Sequence, residues 1–165
     1  MTMQYPIKMT VVLMAAAIMA GCGPGSEPKT DSAPPAAKAD ATSKDFGDYV
    51  VHFNALTTDQ LTPEVAKQYG IVRSKNRAML NVSIIRKVEG TTGQSVPGKV
   101  TATARNLTGQ LKNLELREVK SGGAVYYIGD VPVANGETLY FTVEVTPASE
   151  TESYSLQFSQ QFYGD

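Results

Sequence analysis

Residues 137–145 read ETLYFTVEV, and their alternation decides the fold. Leu139, Phe141, Val143 and Val145 fall on one side of an extended chain, with Thr138, Tyr140, Thr142 and Glu144 on the other. A strand has a side-chain period of two, so this pattern gives one apolar face and one polar face. The residues are largely aromatic or β-branched, types that suit a pleated, half-buried surface. Asn135-Gly136 before them signals a turn, and Pro147 follows them.

The same alternation recurs on both sides of this stretch. Downstream, Tyr154, Leu156 and Phe158 alternate with Ser155, Gln157 and Ser159, and Phe162 and Tyr163 finish the run. Upstream, Tyr49, Val51, Phe53 and Ala55 alternate with Val50, His52, Asn54 and Leu56. Leu80, Val82 and Ile84 form a third set, Val100, Ala102 and Ala104 a fourth, and Leu114 with Leu116 a short fifth. Val125-Tyr126-Tyr127-Ile128 is apolar on both faces, which predicts a strand that is central or covered by a helix. Pro132 has no N–H, so Asp130–Val133 is excluded from a central ladder. Glu89–Ser95, Asn106–Gln110 and Ser121-Gly122-Gly123 read as turns and loops.

Seven short alternating strands with turn signals between them predict an all-β fold. The expected architecture is a seven-stranded antiparallel immunoglobulin/fibronectin-like sandwich with one short helix. A barrel is the alternative. The cysteine pair and tryptophan of antibody domains are absent, since the chain has one Cys and no Trp.

The helix is expected in Leu61–Gly70, LTPEVAKQYG. Thr62 suits the N-cap, Pro63 the first helical position and Glu64 the positive helix end. Gly70 suits the left-handed stop. About two turns are too short to be stable alone, so Val65, Ala66 and Tyr69 are expected to dock on the sheet.

The first 45 residues have a different character. Lys8, an apolar run from Val11 to Ala20 and the small residues Ala20-Gly21 before Cys22 have the order of a secretory signal. The run is about half the roughly 20 residues a membrane-spanning helix needs. Met19-Ala20-Gly21-Cys22 resembles the lipobox of bacterial lipoproteins, with Met where Leu is usual. That resemblance implies cleavage before Cys22 and acylation of its thiol and amino end. Gly23-Pro24 after the cysteine, rather than Asp, implies the outer membrane by the same resemblance. The expected division is a signal peptide at 1–21, an acylated Cys22 with a disordered Pro/Ala/Ser tether at 22–45, and the β-sandwich at 46–165. The tether holds only small, Pro and charged residues, too little apolar area to offset chain entropy. Cys22 is the single cysteine, so the domain is expected to stand on packing without an internal disulfide.

Four stretches carry a resemblance for the domain itself: DYVVHFNAL (48–56), LTPEVAKQYGI (61–71), RSKNRAMLNVSI (73–84) and ETLYFTVEV (137–145). Through them residues 46–163 resemble domain-of-unknown-function family 4426, a family of bacterial envelope proteins. RSKNRAMLNVSI is the most specific part. The resemblance implies a sandwich-like fold and assigns no activity, so no catalytic residue follows from it.

Charge bounds the partners. Fifteen Lys plus Arg against sixteen Asp plus Glu leave a net charge of −1, which is no footprint for nucleic acid. Arg73, Lys75 and Arg77 place three cations in five residues with Ser74 among them. On an extended strand the three cations share one face, a pattern suited to carboxylates or phosphates of an envelope component or an acidic protein. A Ser74/Lys75 dyad is disfavoured, because adjacent strand residues point to opposite faces. His52 is the single histidine, and no Gly-x-Ser-x-Gly elbow or Ser/His/Asp set accompanies it, so a surface histidine is expected. His52 and Met79 are too few soft ligands for copper, and Asp45, Asp48 and Asp130 match no calcium loop, so neither metal nor cofactor is expected. Tyr126, Tyr127, Tyr140 and Tyr163 are expected mainly in the core, with a recognition surface as the alternative. These patterns point to a lipid-anchored periplasmic binding or envelope-assembly module without catalysis. An envelope hydrolase or transferase using His52 or Ser74 is the alternative.

Overall fold

The alternating runs form two antiparallel sheets in the computed structural model, which describes residues 42–164. The signal stretch, Cys22 and the tether up to residue 41 lie outside those residues. Among the described residues ten strands form in place of the expected seven: β1 (Ser43–Asp45), β2 (Tyr49–Thr57), β3 (Arg77–Arg86), β4 (Gln94–Ser95), β5 (Gly98–Asn106), β6 (Leu111–Lys112), β7 (Arg117–Ser121), β8 (Ala124–Pro132), β9 (Glu137–Pro147) and β10 (Tyr154–Phe162). The first sheet runs β1-β2-β3-β8-β7 with β4 on the end of β3, and the second runs β10-β9-β5-β6.

Four strands are not among those expected: β1, β4 and β6 are two or three residues long, too short to show alternation, and the five-residue β7 starts just after the Leu114–Leu116 run. β1 falls inside the stretch expected as tether, where Ser43, Lys44 and Asp45 pair with His52, Val51 and Val50. Its side chains are all exposed, and besides main-chain pairing only surface contacts, Lys44 Nζ to Ser155 O and Lys87 Nζ to Asp45, tie it to the fold. Leu114 and Leu116 are not in a strand; they belong to a crossing segment whose side chains pack on the core. Gly129 of β8 makes room for that crossing, since a Cβ there would lie 2.9 Å from Leu116 Cδ2 and 3.0 Å from Leu114 Cδ1. Pro132 ends β8 opposite Arg77, beyond the last residue that β7 pairs, Ile128, so no neighbour on that side needs its N–H.

The inward rows meet as one core. Val51 and Phe53 of β2, Leu80, Val82 and Ile84 of β3 and Val131 of β8 face Leu139, Phe141, Val143 and Val145 of β9 and Leu156 of β10. Phe53, Phe141, Phe158 and Phe162 pack through its middle at centroid distances of 4.6 to 6.4 Å, Phe141 stacked on Phe158 and edge-on to Phe162. Two tyrosine hydroxyls tie the layers at one end. Tyr127 Oη accepts from Gly98 N at 2.8 Å and donates toward Gly98 O at 2.7 Å. Tyr49 Oη lies 2.8 Å from Ser149 Oγ and donates to Glu150 Oε1 at 2.9 Å.

The helix forms as expected. α1 (Pro63–Gln68) is capped by Thr62, whose hydroxyl accepts from Val65 N at 3.3 Å. Its end is a Schellman motif: Ile71 N donates to Ala66 O at 2.8 Å and Gly70 N to Lys67 O at 3.2 Å, with Gly70 at φ +61°. The helix covers the outer face of the first sheet. There Leu61, Tyr69 and Ile71 pack with Leu56, Met79, Tyr126 and Ile128 as a second, smaller core. Tyr126 and Ile128 face this cluster and Tyr127 the main one, which is why residues 125–128 are apolar on both faces.

Candidate functional site

The chain from Ile71 to Asn76 is a loop and turn, not an extended strand, so alternation does not place Arg73, Lys75 and Arg77 on one face. Arg73 is exposed and its Nη2 donates to Asp59 O at 2.7 Å. Lys75 is exposed at the turn. Arg77 opens β3 and is committed across the sheet to Asp130 of β8 through an ion pair. Ser74 is tied into the loop: its N–H donates to Thr58 Oγ1 at 2.9 Å, and its Oγ accepts from Asn76 N at 3.1 Å. Thr58, fully buried, also donates toward Val72 O at 2.8 Å and Ser74 O at 3.0 Å, which pins the loop to the turn after β2. Arg73 also bears on α1. The Glu64 carboxyl is held below its ordinary range by its own backbone N–H and the Thr62 hydroxyl, with added attraction from Arg73.

The concave feature lies beside this loop. A cleft of about 290 Å³ opens between α1 and the outer face of the first sheet. Leu56, Leu61, Val65, Tyr69, Ile71, Met79, Tyr126 and Ile128 line its apolar part, and Asn54 and Asn81 its polar end. Register places the asparagines: Asn54 of β2 sits opposite Asn81 of β3, and Asn81 opposite Ile128 of β8. Asn81 Oδ1 is buried and has no hydrogen-bond partner among the described residues. A buried acceptor left unpaired costs about 1–3 kcal/mol; among the described residues Asp59 Oδ1 is the other such side-chain atom. The asparagines read as ordinary polar positions in the strand alternation; only the register of three strands and the helix roof bring them to one cleft.

Beyond the asparagines the same face turns polar. His52 is exposed on β2, with Ser43 of β1 and Ser83 of β3 as its register neighbours. A shallow hollow of about 280 Å³ joins His52, Ser83, Asn54 and Asn81. Among the described residues no three His, Cys, Asp or Glu side chains gather as a metal site. Asp45 is bonded to Lys87 Nζ at 2.6 and 2.8 Å, and Asp130 to Arg77. Of the four tyrosines, Tyr127 is buried, Tyr126 lines the cleft, and Tyr140 and Tyr163 are 49% and 63% exposed. Burial pushes the Tyr127 hydroxyl above its ordinary pKa, against the hydrogen bond from Gly98.

The profile of a family described as domain of unknown function (DUF4426) matches residues 43–165. A DUF4426 family protein of Pseudomonas aeruginosa PAO1, known from its crystal structure, is 34% identical with a TM-score of 0.64; the match covers 74% of this chain and 94% of that one. FetP of uropathogenic Escherichia coli strain F11, expressed recombinantly in the E. coli periplasm, is 12% identical with a TM-score of 0.53, over 74% of this chain and 93% of its own. A copper-bound variant of FetP is 13% identical with a TM-score of 0.53, over 74% and 95%. The likeness to FetP is one of fold. No curated protein matches the chain. Among the described residues no helix is long and apolar enough to cross a membrane.

Proposed function

The chain belongs to the DUF4426 family, and on that premise we propose that it is a non-catalytic binding module of the bacterial envelope. A lipid on Cys22 holds it, with the domain in the periplasm and the outer membrane as its host, and the cleft beneath α1 seats its ligand. The observation that carries this reading is the cleft itself, an apolar pocket ending in the unpartnered carbonyl of Asn81. Ligand sites are mostly apolar with a few placed polar groups, and about 290 Å³ is at the small end of their range. The ligand is a small molecule or side chain with an apolar body and one neutral hydrogen-bonding group. His52, exposed between two serines of neighbouring strands, supports a site without acid–base work. Exposed Arg73 and Lys75 beside the helix offer attraction to an anionic envelope component or acidic partner.

Met79 lines the cleft and is 6% exposed, so its methyl is a reporter of occupancy. With the full chain labelled at methionine methyls, titration with decanamide shifts the Met79 resonance saturably, and acetamide does not. The peak is assigned by its loss in Met79→Leu. In Asn81→Ala the decanamide affinity falls about tenfold or more. An unmoved Met79 resonance, or equal affinity in Asn81→Ala, overturns the cleft as the seat. The anchor is tested separately: Cys22→Ser moves the protein from the membrane to the soluble envelope fraction, and unchanged membrane association overturns it.

A further inference from the structure

Edge strands offer unpaired N–H and C=O groups to any neighbouring chain, and proteins blunt them by shortness, charge, proline or bulges. Three of the four strands that end the two sheet orders are blunted, and β4, paired with β3 alone, has only two residues. β1 has three residues including Lys44 and Asp45, β6 has two including Lys112, and β7 carries Arg117, Glu118 and Lys120. The fourth, β10, runs nine residues as YSLQFSQQF, with no charge, no proline and an unbroken one-to-one register against β9.

Hydrogen bonds show which of its groups face outward. Phe162 O accepts from Gly136 N at 2.8 Å on the β9 side, so the even-numbered groups of β10 face β9. The N–H and C=O groups of Ser155, Gln157, Ser159 and Gln161 therefore face away. Ser155 O accepts from Lys44 Nζ at 3.2 Å and Gln161 O from Gln160 Nε2 at 2.9 Å, both from outside the ladder, which agrees with that alternation. Gln157 and Ser159 remain between them with no backbone partner for their outward groups among the described residues.

We infer that β10 pairs antiparallel with β10 of a second copy of this chain, about a two-fold axis through Phe158. In that register Gln157 of each copy faces Ser159 of the other. Both are outward-facing positions, so four N–H···O bonds close the seam. Ser155 then faces Gln161, and Leu156 faces Gln160, so no like charges meet across the axis. Phe158 faces Phe158. It is partly buried at the margin of the core, 4.6 Å from the Phe53 ring and 4.8 Å from that of Phe141, so its counterpart continues the aromatic row. An uncharged strand that is self-complementary about one residue fits a copy of itself, because isologous pairing sets every residue against its symmetry mate. This association is independent of the cleft, which lies on the other sheet.

The test uses the full chain carrying Cys22→Ser, so that introduced thiols are the only ones. A mixture of Gln157→Cys and Ser159→Cys chains forms a disulfide-linked dimer under mild oxidation, because facing residues fall within disulfide reach. Each variant alone cross-links far less, since equivalent residues lie diagonally. Sedimentation of the same chain without introduced thiols shows a concentration-dependent dimer. Ser159→Pro removes one outward N–H, a change an edge strand accepts. It shifts the mass to monomer while circular dichroism keeps the β signature. No cross-link in the mixture, equal cross-linking of Gln157→Cys alone, or capture of a different polypeptide by these thiols in envelopes overturns self-pairing.

Discussion

Tyr127 does two jobs at one position. Its ring is 5% exposed within the main core, and its hydroxyl ties β8 of one sheet to Gly98 of the other. Tyr127→Phe keeps the ring and strands the N–H and C=O of Gly98, so it is expected to lower stability by about 1–3 kcal/mol. Urea unfolding should show a lower midpoint with an unchanged slope; an unchanged midpoint would falsify the bridge. Glu137 is the second residue of this kind. Burial raises its carboxyl pKa, but Ala134 N–H, Lys112 and Asn106 together outweigh burial and hold it below the ordinary 4.5. A carboxyl lowered by folding adds stability that is full above its unfolded pKa and is lost as pH falls through the folded one. Glu137→Gln is therefore expected to be less stable than the parent at pH 7. The gap should close as pH drops below about 4.5, read from thermal unfolding across pH. A gap that stays constant with pH would reject the carboxylate's role. Neither partnership is visible in sequence, because Gly98 precedes Tyr127 by 29 positions and Lys112 lies 25 from Glu137.

At the scale of elements, α1 is the most legible and the least self-sufficient. Thr62, Pro63 and Gly70 each do what their chemistry predicts, since caps and stops act within one turn. Yet six residues cannot hold a helix without the Leu56–Met79–Ile128 surface beneath them. Thr62→Ala is expected to cost the helix about 1 kcal/mol. Because the helix is a local roof, the change should appear as faster amide exchange over residues 63–71, with β3 and β9 unaffected. Uniformly faster exchange throughout would mean that α1 is integral to global stability. The long strands were legible from alternation, since one face of each is buried. The short strands and the loop carrying Arg73, Ser74 and Lys75 were not. Their conformation follows from main-chain pairing and from Thr58, which sits fourteen to sixteen residues upstream of the carbonyls and amide it binds. Arg77 was legible as a cation but not as the partner of Asp130, which arrives 53 residues later.

For the whole molecule, Phe141 sits where both sheets meet, 1% exposed, stacked on Phe158 and edge-on to Phe162. Phe141→Ala is expected to cost about 3–5 kcal/mol, because lost transfer energy and a cavity add. Calorimetry should show one transition at lower temperature, since both layers share that core; two separate transitions would show sheets that fold apart. The sequence by itself determined the strand character, the inward rows, the helix with its caps and the family resemblance. All of these are local: they depend on period, turn chemistry or contiguous motifs, and neighbours in the chain decide them. Only the tertiary structure decided that Asn54 and Asn81 meet beneath α1, that Arg77 is spent on Asp130, and that β10 is the long uncharged edge. Each depends on which strands lie side by side, and strand order is settled by packing between residues far apart in the chain.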